Sequence, residues 1–118
     1  MSETPRSSAM LLRDMLNSCC FLMEQTKGVT RQHYCADRWF RRAVERELMI
    51  IGEALFQLSR RYEEIARRVP DYERIIGFRH VLVHAYATLD DDKVWDVVEL
   101  KLEPLRLELE KLVSEIKP

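Results

Sequence analysis

An apolar seam in the middle of the chain limits its possible folds more than any other feature. Between positions 44 and 62, large apolar residues recur at steps of 4, 3, 4, 3 and 4: Val44, Leu48, Ile51, Leu55, Leu58 and Tyr62. This spacing keeps one stripe of a helix facing a partner helix. It therefore predicts a long helix, from about residue 37 to residue 60, that packs inside a helical bundle.

The same helix carries a second apolar stripe, made by Trp39, Ala43, Ile50 and Ala54. A helix with two apolar stripes is expected to be buried on two sides. In a domain this small, the second side could meet another subunit. Trp39 and Trp95 are interpreted as packing residues in preference to platforms for stacked bases.

Further helices are predicted before this central one. Residues 1–6 form a loose lead-in, and Ser7 or Ser8 can cap a first helix that ends near Gln25. A short helix or turn is expected over residues 30–36.

After the central helix, a short helix over 62–68 should stop at Pro70, and Asp71 should cap a helix over about 72–86. A last helix should begin at the aspartates 90–92 and run to about residue 116, with Pro104 kinking or splitting it. The sequence thus predicts an all-α domain over residues 7–118, an antiparallel bundle of four main helices plus short ones.

Composition excludes several classes of protein. The 118 residues carry a formal net charge of -1, so bulk charge gives little grip on nucleic acid. The three cysteines, Cys19, Cys20 and Cys35, form no CxxC pair and suit a reducing cytoplasm. No apolar run is long enough to cross a bilayer, and none near the start resembles a signal peptide. We therefore expect a cytoplasmic protein without a membrane segment.

The stretch GFRHVLVHAY, residues 77–86, combines helical apolar spacing with Arg79, His80, His84 and Tyr86. Histidine exchanges protons near neutral pH, and arginine holds a permanent charge suited to phosphate oxygens. Together they fit attack of an RNA 2′-hydroxyl on its own phosphate without a metal. Two imidazoles could divide the two proton transfers, either His80 with His84 or His84 from each half of a dimer. On a helix over 72–86, Arg79 and Tyr86 would share a face.

Other interpretations of these residues remain open. Histidine and arginine on an amphipathic helix usually have no catalytic role. The four-residue step from His80 to His84 suits metal ligands, but no third ligand lies nearby in the sequence, so metal binding is the weaker interpretation. Glu53 is expected at the edge of the core, with Arg79 as a possible partner.

The arginines on the central helix could guide RNA phosphates, but a solvated face paired with Glu45 and Glu47 is the stronger interpretation. These arginines are Arg38, Arg41, Arg42 and Arg46.

The stretch resembles the Arg-x4-His-x-Tyr signature of HepT-like toxins in the HEPN superfamily. The segments LLRDML, MIIGEAL, IIGFRHVLVHAY and KVWDVV occur in the order that this family shows, and the resemblance covers about residues 10–113. It implies a helical bundle that dimerises and a metal-independent endoribonuclease that acts as the toxin of a toxin–antitoxin pair. It implies no cofactor.

The resemblance also implies a partner and residue roles. The partner would be an MNT-type nucleotidyltransferase antitoxin, which silences the toxin by transferring AMP to Tyr86. Arg79 would steady the RNA phosphate and His84 would transfer protons. Many members of the family have Asn where this chain has His80, which leaves the role of His80 open.

Two alternatives remain beside the endoribonuclease. The first is a non-catalytic interaction module that binds and regulates a nucleotidyltransferase, which the near-neutral charge favours. The second is a protein that binds a nucleotide in a cleft, although the sequence has no phosphate-binding glycine loop.

Overall fold

The computed structural model describes residues 5–116, apart from the side chain of Tyr86. Within these residues the chain is helical and contains no strand. Four main helices, α1 (Ser8–Thr26), α3 (Arg38–Arg61), α5 (Tyr72–His84) and α6 (Asp91–Glu115), are joined by two short ones, α2 (Arg31–Ala36) and α4 (Glu63–Ala66). A turn of 3₁₀ helix, Tyr86–Thr88, follows α5. The predicted all-α bundle is confirmed.

Local signals set the beginning of each long helix. The Ser7 hydroxyl accepts a hydrogen bond from the Met10 amide at 3.2 Å and caps α1. The Asp37 carboxylate accepts from the Phe40 amide at 3.0 Å and caps α3. Asp90 accepts from the first amides of α6 in the same way. These three beginnings agree with the sequence prediction.

The central helix α3 packs against α1 and α5, and α1 also packs against α6. The predicted seam of α3 is buried except at Tyr62, which caps the helix end and is partly exposed. The second stripe is only partly covered, because Ala54 is buried while Trp39 is 87% exposed. Within this chain the packing prediction is therefore wrong for Trp39, and contact of the second stripe with another subunit stays a prediction. It is correct for Trp95, which is buried and stacks on Tyr34 with ring centroids 4.9 Å apart.

Pro104 does not split the last helix, which is continuous from Asp91 to Glu115. A proline inside a helix leaves the carbonyl four residues earlier without its amide partner. Here that residue is Leu100, which is 65% exposed, so water can satisfy its carbonyl. The split is ruled out, because the lost hydrogen bond falls on the solvent side of α6, and the kink stays a prediction.

Helix α5 differs from the prediction at both ends. Asp71 precedes the helix with φ +56°, in the left-handed region, and its side chain makes no capping hydrogen bond. The helix ends at His84 and not at residue 86, because Ala85 leaves helical geometry with φ -115° and ψ 28°. Along α5, which the structure describes in full, Leu82 is the one fully buried residue.

Candidate active site

The close approach of α5 to α3 at Gly52 positions the candidate site. A Cβ atom built on Gly52 would lie only 2.4 Å from the Cβ of Arg79, far inside van der Waals contact. Only a residue without a side chain therefore allows the two helices to approach this closely. The approach brings the base of the Arg79 side chain directly against α3.

Neighbouring residues of α3 hold the Arg79 guanidinium in place. Its Nη2 atom lies 2.6 Å from Oε1 of Glu53, and its Cζ atom lies 5.1 Å from the centre of the Phe56 ring. Gln57 donates from Nε2 to the other Glu53 oxygen at 3.1 Å. The Arg79 side chain is 25% exposed. A guanidinium has five N–H donors, so Arg79 retains donors for an anion that approaches from solvent.

The two histidines lie together on the outer side of α5. The ring centroids of His80 and His84 are 4.4 Å apart, with an angle of 46° between the ring planes. Both residues are exposed. The rings are thus close to each other and open to a substrate, as an i, i+4 pair on a helix allows.

The structure separates Tyr86 from the helix that carries Arg79. Tyr86 begins the 3₁₀ turn after α5, so the prediction that Arg79 and Tyr86 share a helical face is wrong. The side chain of Tyr86 lies outside what the structure describes. Its predicted role as a modification site stays a prediction.

Beside Arg79, a groove of about 290 Å³ opens between the start of α1, the middle of α3 and the end of α5. Its lining combines apolar side chains with Arg46, Glu53, Gln57 and Arg79. Glu53, expected from the sequence at the edge of the core with Arg79 as partner, occupies that position. The candidate site is therefore an open groove with a fixed guanidinium at one wall.

The remaining arginines of α3 are only partly paired. Arg42 binds Glu45 at 3.0 Å, as predicted, and Arg41 binds Asp91 at 3.3 Å. Glu47 makes no ion pair among residues 5–116.

Among residues 5–116, no three His, Cys, Asp or Glu side chains gather in a group that could hold a metal ion. No described helix combines the length and apolarity needed to span a membrane.

Sequence reasoning missed the two residues of α3 that shape the position of Arg79. Gly52 lies in the middle of a helix, where glycine costs about 1 kcal/mol of helix stability relative to alanine. A glycine at so unfavourable a position could have indicated that another helix packs closely there. Phe56 was not singled out from the sequence, and only its position under Arg79 reveals the cation–π contact.

Comparison with known proteins finds a family and several relatives for the chain. A model of the family described as "Ribonuclease HepT-like" matches residues 15–112. A protein of Caldanaerobacter subterraneus named "Putative RNase" is 37% identical over 97% of this chain and 95% of its own. One of Methanocaldococcus jannaschii with the same designation is 30% identical over 84% of this chain and 90% of its own.

A third relative, named "Probable ribonuclease HepT", comes from Thermococcus cleftensis and is 27% identical over 91% of this chain and 96% of its own. No solved structure matches the chain significantly.

The structure is a helical bundle that carries Arg79 and His84 on the same helix, as the resemblance to HEPN proteins implies. The chain belongs to the HepT-like ribonuclease family.

Proposed function

We propose that this protein is a metal-independent endoribonuclease and the toxin of a HEPN/MNT toxin–antitoxin pair. The observation that carries the proposal is Arg79, fixed by Glu53 at 2.6 Å, on the same exposed helix as His84. Family membership supports the class of reaction, because the relatives are named as ribonucleases.

The proposed reaction is transfer of an RNA phosphate to its own 2′-hydroxyl. A base takes the 2′-hydroxyl proton, the 2′-oxygen bonds to phosphorus, and the bond from phosphorus to the 5′-oxygen breaks as that oxygen gains a proton. The products are a 2′,3′-cyclic phosphate and a 5′-hydroxyl. Arg79 stabilises the negative charge that builds on the phosphate oxygens. His84 transfers one of the protons.

The second proton carrier is either His80 of the same chain or His84 of a second copy. The first choice needs no second chain, because the His80 and His84 rings lie on one helix, 4.4 Å apart. The other choice needs a dimer that brings two α5 helices together. The substitutions His80→Ala and His84→Ala distinguish the two choices. Only the first choice predicts that they reduce RNA cleavage equally.

Gly77 supports a homodimer across α5. This residue lies in the middle of the helix, is exposed, and a Cβ atom there would meet nothing within 4 Å inside the chain. Val81, on the next turn, is 41% exposed. A glycine that weakens a helix without any reason within its own chain suits close approach by a second helix.

The central experiment is cleavage of single-stranded RNA in the presence of a chelator. We expect wild-type protein to cleave and His84→Ala to lose about 100-fold or more, the usual contribution of general acid–base catalysis. The matched control is His33→Ala, which removes an exposed histidine from α2. Equal cleavage by wild type and His84→Ala would refute the proposal.

Regulation by an MNT-type nucleotidyltransferase is the second part of the proposal. The transferase would move AMP from ATP to the Tyr86 hydroxyl, which loses its proton, with pyrophosphate as the leaving group. The attached AMP, two residues after His84, would bring bulk and negative charge close to a site that must admit an RNA phosphate. Intact mass of the chain produced with the transferase should increase by whole adenylates. The increase should vanish in Tyr86→Phe and persist in Tyr62→Phe.

The alternative is an interaction module without catalytic activity, which the net charge of -1 favours. It predicts a stable complex with the nucleotidyltransferase and no cleavage by the freed, unmodified chain.

A further inference from the structure

The groove beside Arg79 has the features of a ligand-binding site. Its floor is apolar, formed by the buried Leu11 and Ala54 and the partly exposed Met49, Ile50 and Val83. Its rim is polar, with Arg6 and Asp14 on the α1 side, Arg46 and Gln57 on α3, and the Arg79–Glu53 pair at the opposite wall. Ligand sites commonly combine an apolar floor with a few polar groups that fix orientation.

Most polar groups of the rim already have partners within the chain. Arg6 pairs with Asp14, Arg79 pairs with Glu53, and Gln57 donates to the same carboxylate. Arg46 differs, because it is exposed and makes neither an ion pair nor a side-chain hydrogen bond within residues 5–116. The groove therefore presents one guanidinium whose whole donor set is available to an incoming anion.

The spacing of Arg46 and Arg79 indicates what kind of anion fits. Arg46 and Glu53 are seven residues apart on α3, so they share a face and lie about 10 Å apart along the helix axis. Arg79 is held at Glu53, about two turns of α3 beyond Arg46, and both arginines line the groove. A spacing of this order between the two positions suits two phosphates of the same strand better than one.

We propose that this groove binds the nucleotide adjacent to the scissile linkage of single-stranded RNA, with its phosphate on Arg46 and its base on the apolar floor. The inference rests on the proposed ribonuclease function, in which Arg79 holds the scissile phosphate. A groove of about 290 Å³ has room for a single unstacked base. Splayed bases of single strands are the usual targets of protein pockets on RNA. The substrate class is therefore a single strand with at least two phosphates.

The test compares Arg46→Gln with Arg38→Gln, an exposed arginine of the same helix that does not line the groove. Both substitutions remove one positive charge from an exposed position, so folding should be preserved. On a single-stranded oligoribonucleotide, Arg46→Gln should raise KM about tenfold and leave kcat unchanged, as expected when an interaction equal in ground and transition states is lost. On a dinucleotide with one phosphate, it should change neither constant. Arg38→Gln should behave as wild type on both substrates.

Binding of a 2′-O-methyl oligonucleotide, which lacks the attacking hydroxyl, tests the groove without cleavage. Arg46→Gln should weaken binding about tenfold and reduce the slope of log K against log salt concentration by about 0.7, the value for one phosphate contact of a single strand. Equal binding by Arg46→Gln and Arg38→Gln would overturn the inference even if wild type cleaves RNA. If wild type cleaves nothing, the proposed reaction fails, and a selective loss of binding in Arg46→Gln would still support the groove as an RNA site.

Discussion

The Arg79 guanidinium lies 2.6 Å from the Glu53 carboxylate, immediately beside Gly52, where α5 approaches α3 closely. The contact joins two helices and fixes the direction of the one arginine in the Arg-x4-His-x-Tyr motif. The carboxylate is 44% exposed, so the pair should contribute little to stability. Its main consequence is the orientation of Arg79 toward the groove.

Replacement of Glu53 by alanine tests this orientation. Glu53→Ala should change the free energy of unfolding by less than about 1 kcal/mol, as for other exposed ion pairs. Cleavage of RNA should nevertheless fall about tenfold, because misplacement of a positioned group is costly to catalysis. The control is Glu47→Ala on the same helix. Denaturant unfolding and cleavage rates check both parts, and a large loss of stability with proportional loss of activity would contradict the orienting role.

Gly52→Ala should disturb the approach of the two helices. The new methyl group would overlap the Arg79 Cβ position at 2.4 Å, so α5 must move away from α3. Overpacking costs about 1–3 kcal/mol, and the better helix propensity of alanine returns about 1 kcal/mol of it. We expect a net destabilisation of up to about 2 kcal/mol and a loss of cleavage greater than that of Glu53→Ala. Wild-type stability together with wild-type activity would show that α5 has room to shift.

Gly77→Ala makes the same chemical change where the added methyl meets nothing in the chain. In isolation it should stabilise α5 by about 1 kcal/mol, because glycine is a poor helix former. If a second copy packs here, the substitution should also weaken the dimer. Thermal unfolding at low protein concentration measures the first effect, and sedimentation velocity measures the second. A more stable chain with an unchanged dimer would place the interface elsewhere.

Glu45 should make the stability of the folded protein depend on pH. Burial, with the nearby Asp91, raises the pKa of Glu45 above the usual 4.5, while Arg42 and Arg41 oppose the shift. The folded chain thus holds this proton more tightly than the unfolded chain does. The stabilisation that comes from this proton is complete below the usual pKa and is lost as the pH rises through the raised one.

The substitution Glu45→Gln removes the part of the pH dependence of stability that Glu45 contributes. The free energy of unfolding of Glu45→Gln should exceed that of wild type by more at pH 7 than near pH 4. Urea unfolding at both pH values checks this, with Glu47→Gln as the matched control. A constant difference between Glu45→Gln and wild type at the two pH values would show that Glu45 is not responsible.

The periodicity of the sequence was sufficient to predict most of the fold. The seam of α3 and the caps at Ser7, Asp37 and Asp90 depend on residues within a few positions of one another. Spacing and capping are local properties, so they can be read without knowledge of the fold. The types of residue within one short stretch also singled out Arg79 and His84 as candidates.

Local patterns failed where a neighbour or solvent decided the outcome. The helix of the motif stops at His84, although the apolar pattern continues to residue 85. Proline at 104 is tolerated because its missing hydrogen bond falls at an exposed position. Trp39 remains exposed because no other part of the described chain covers it.

The sequence by itself determined the helices, their caps and the residue types available for chemistry, because these follow from contacts between near neighbours along the chain. Only the tertiary structure decided that Arg79 meets Glu53 over Phe56, that Gly52 allows this meeting, and that Arg46 faces the same groove without a partner. These relationships join residues more than twenty positions apart. They depend on how closely α5 packs on α3, which no local spacing specifies.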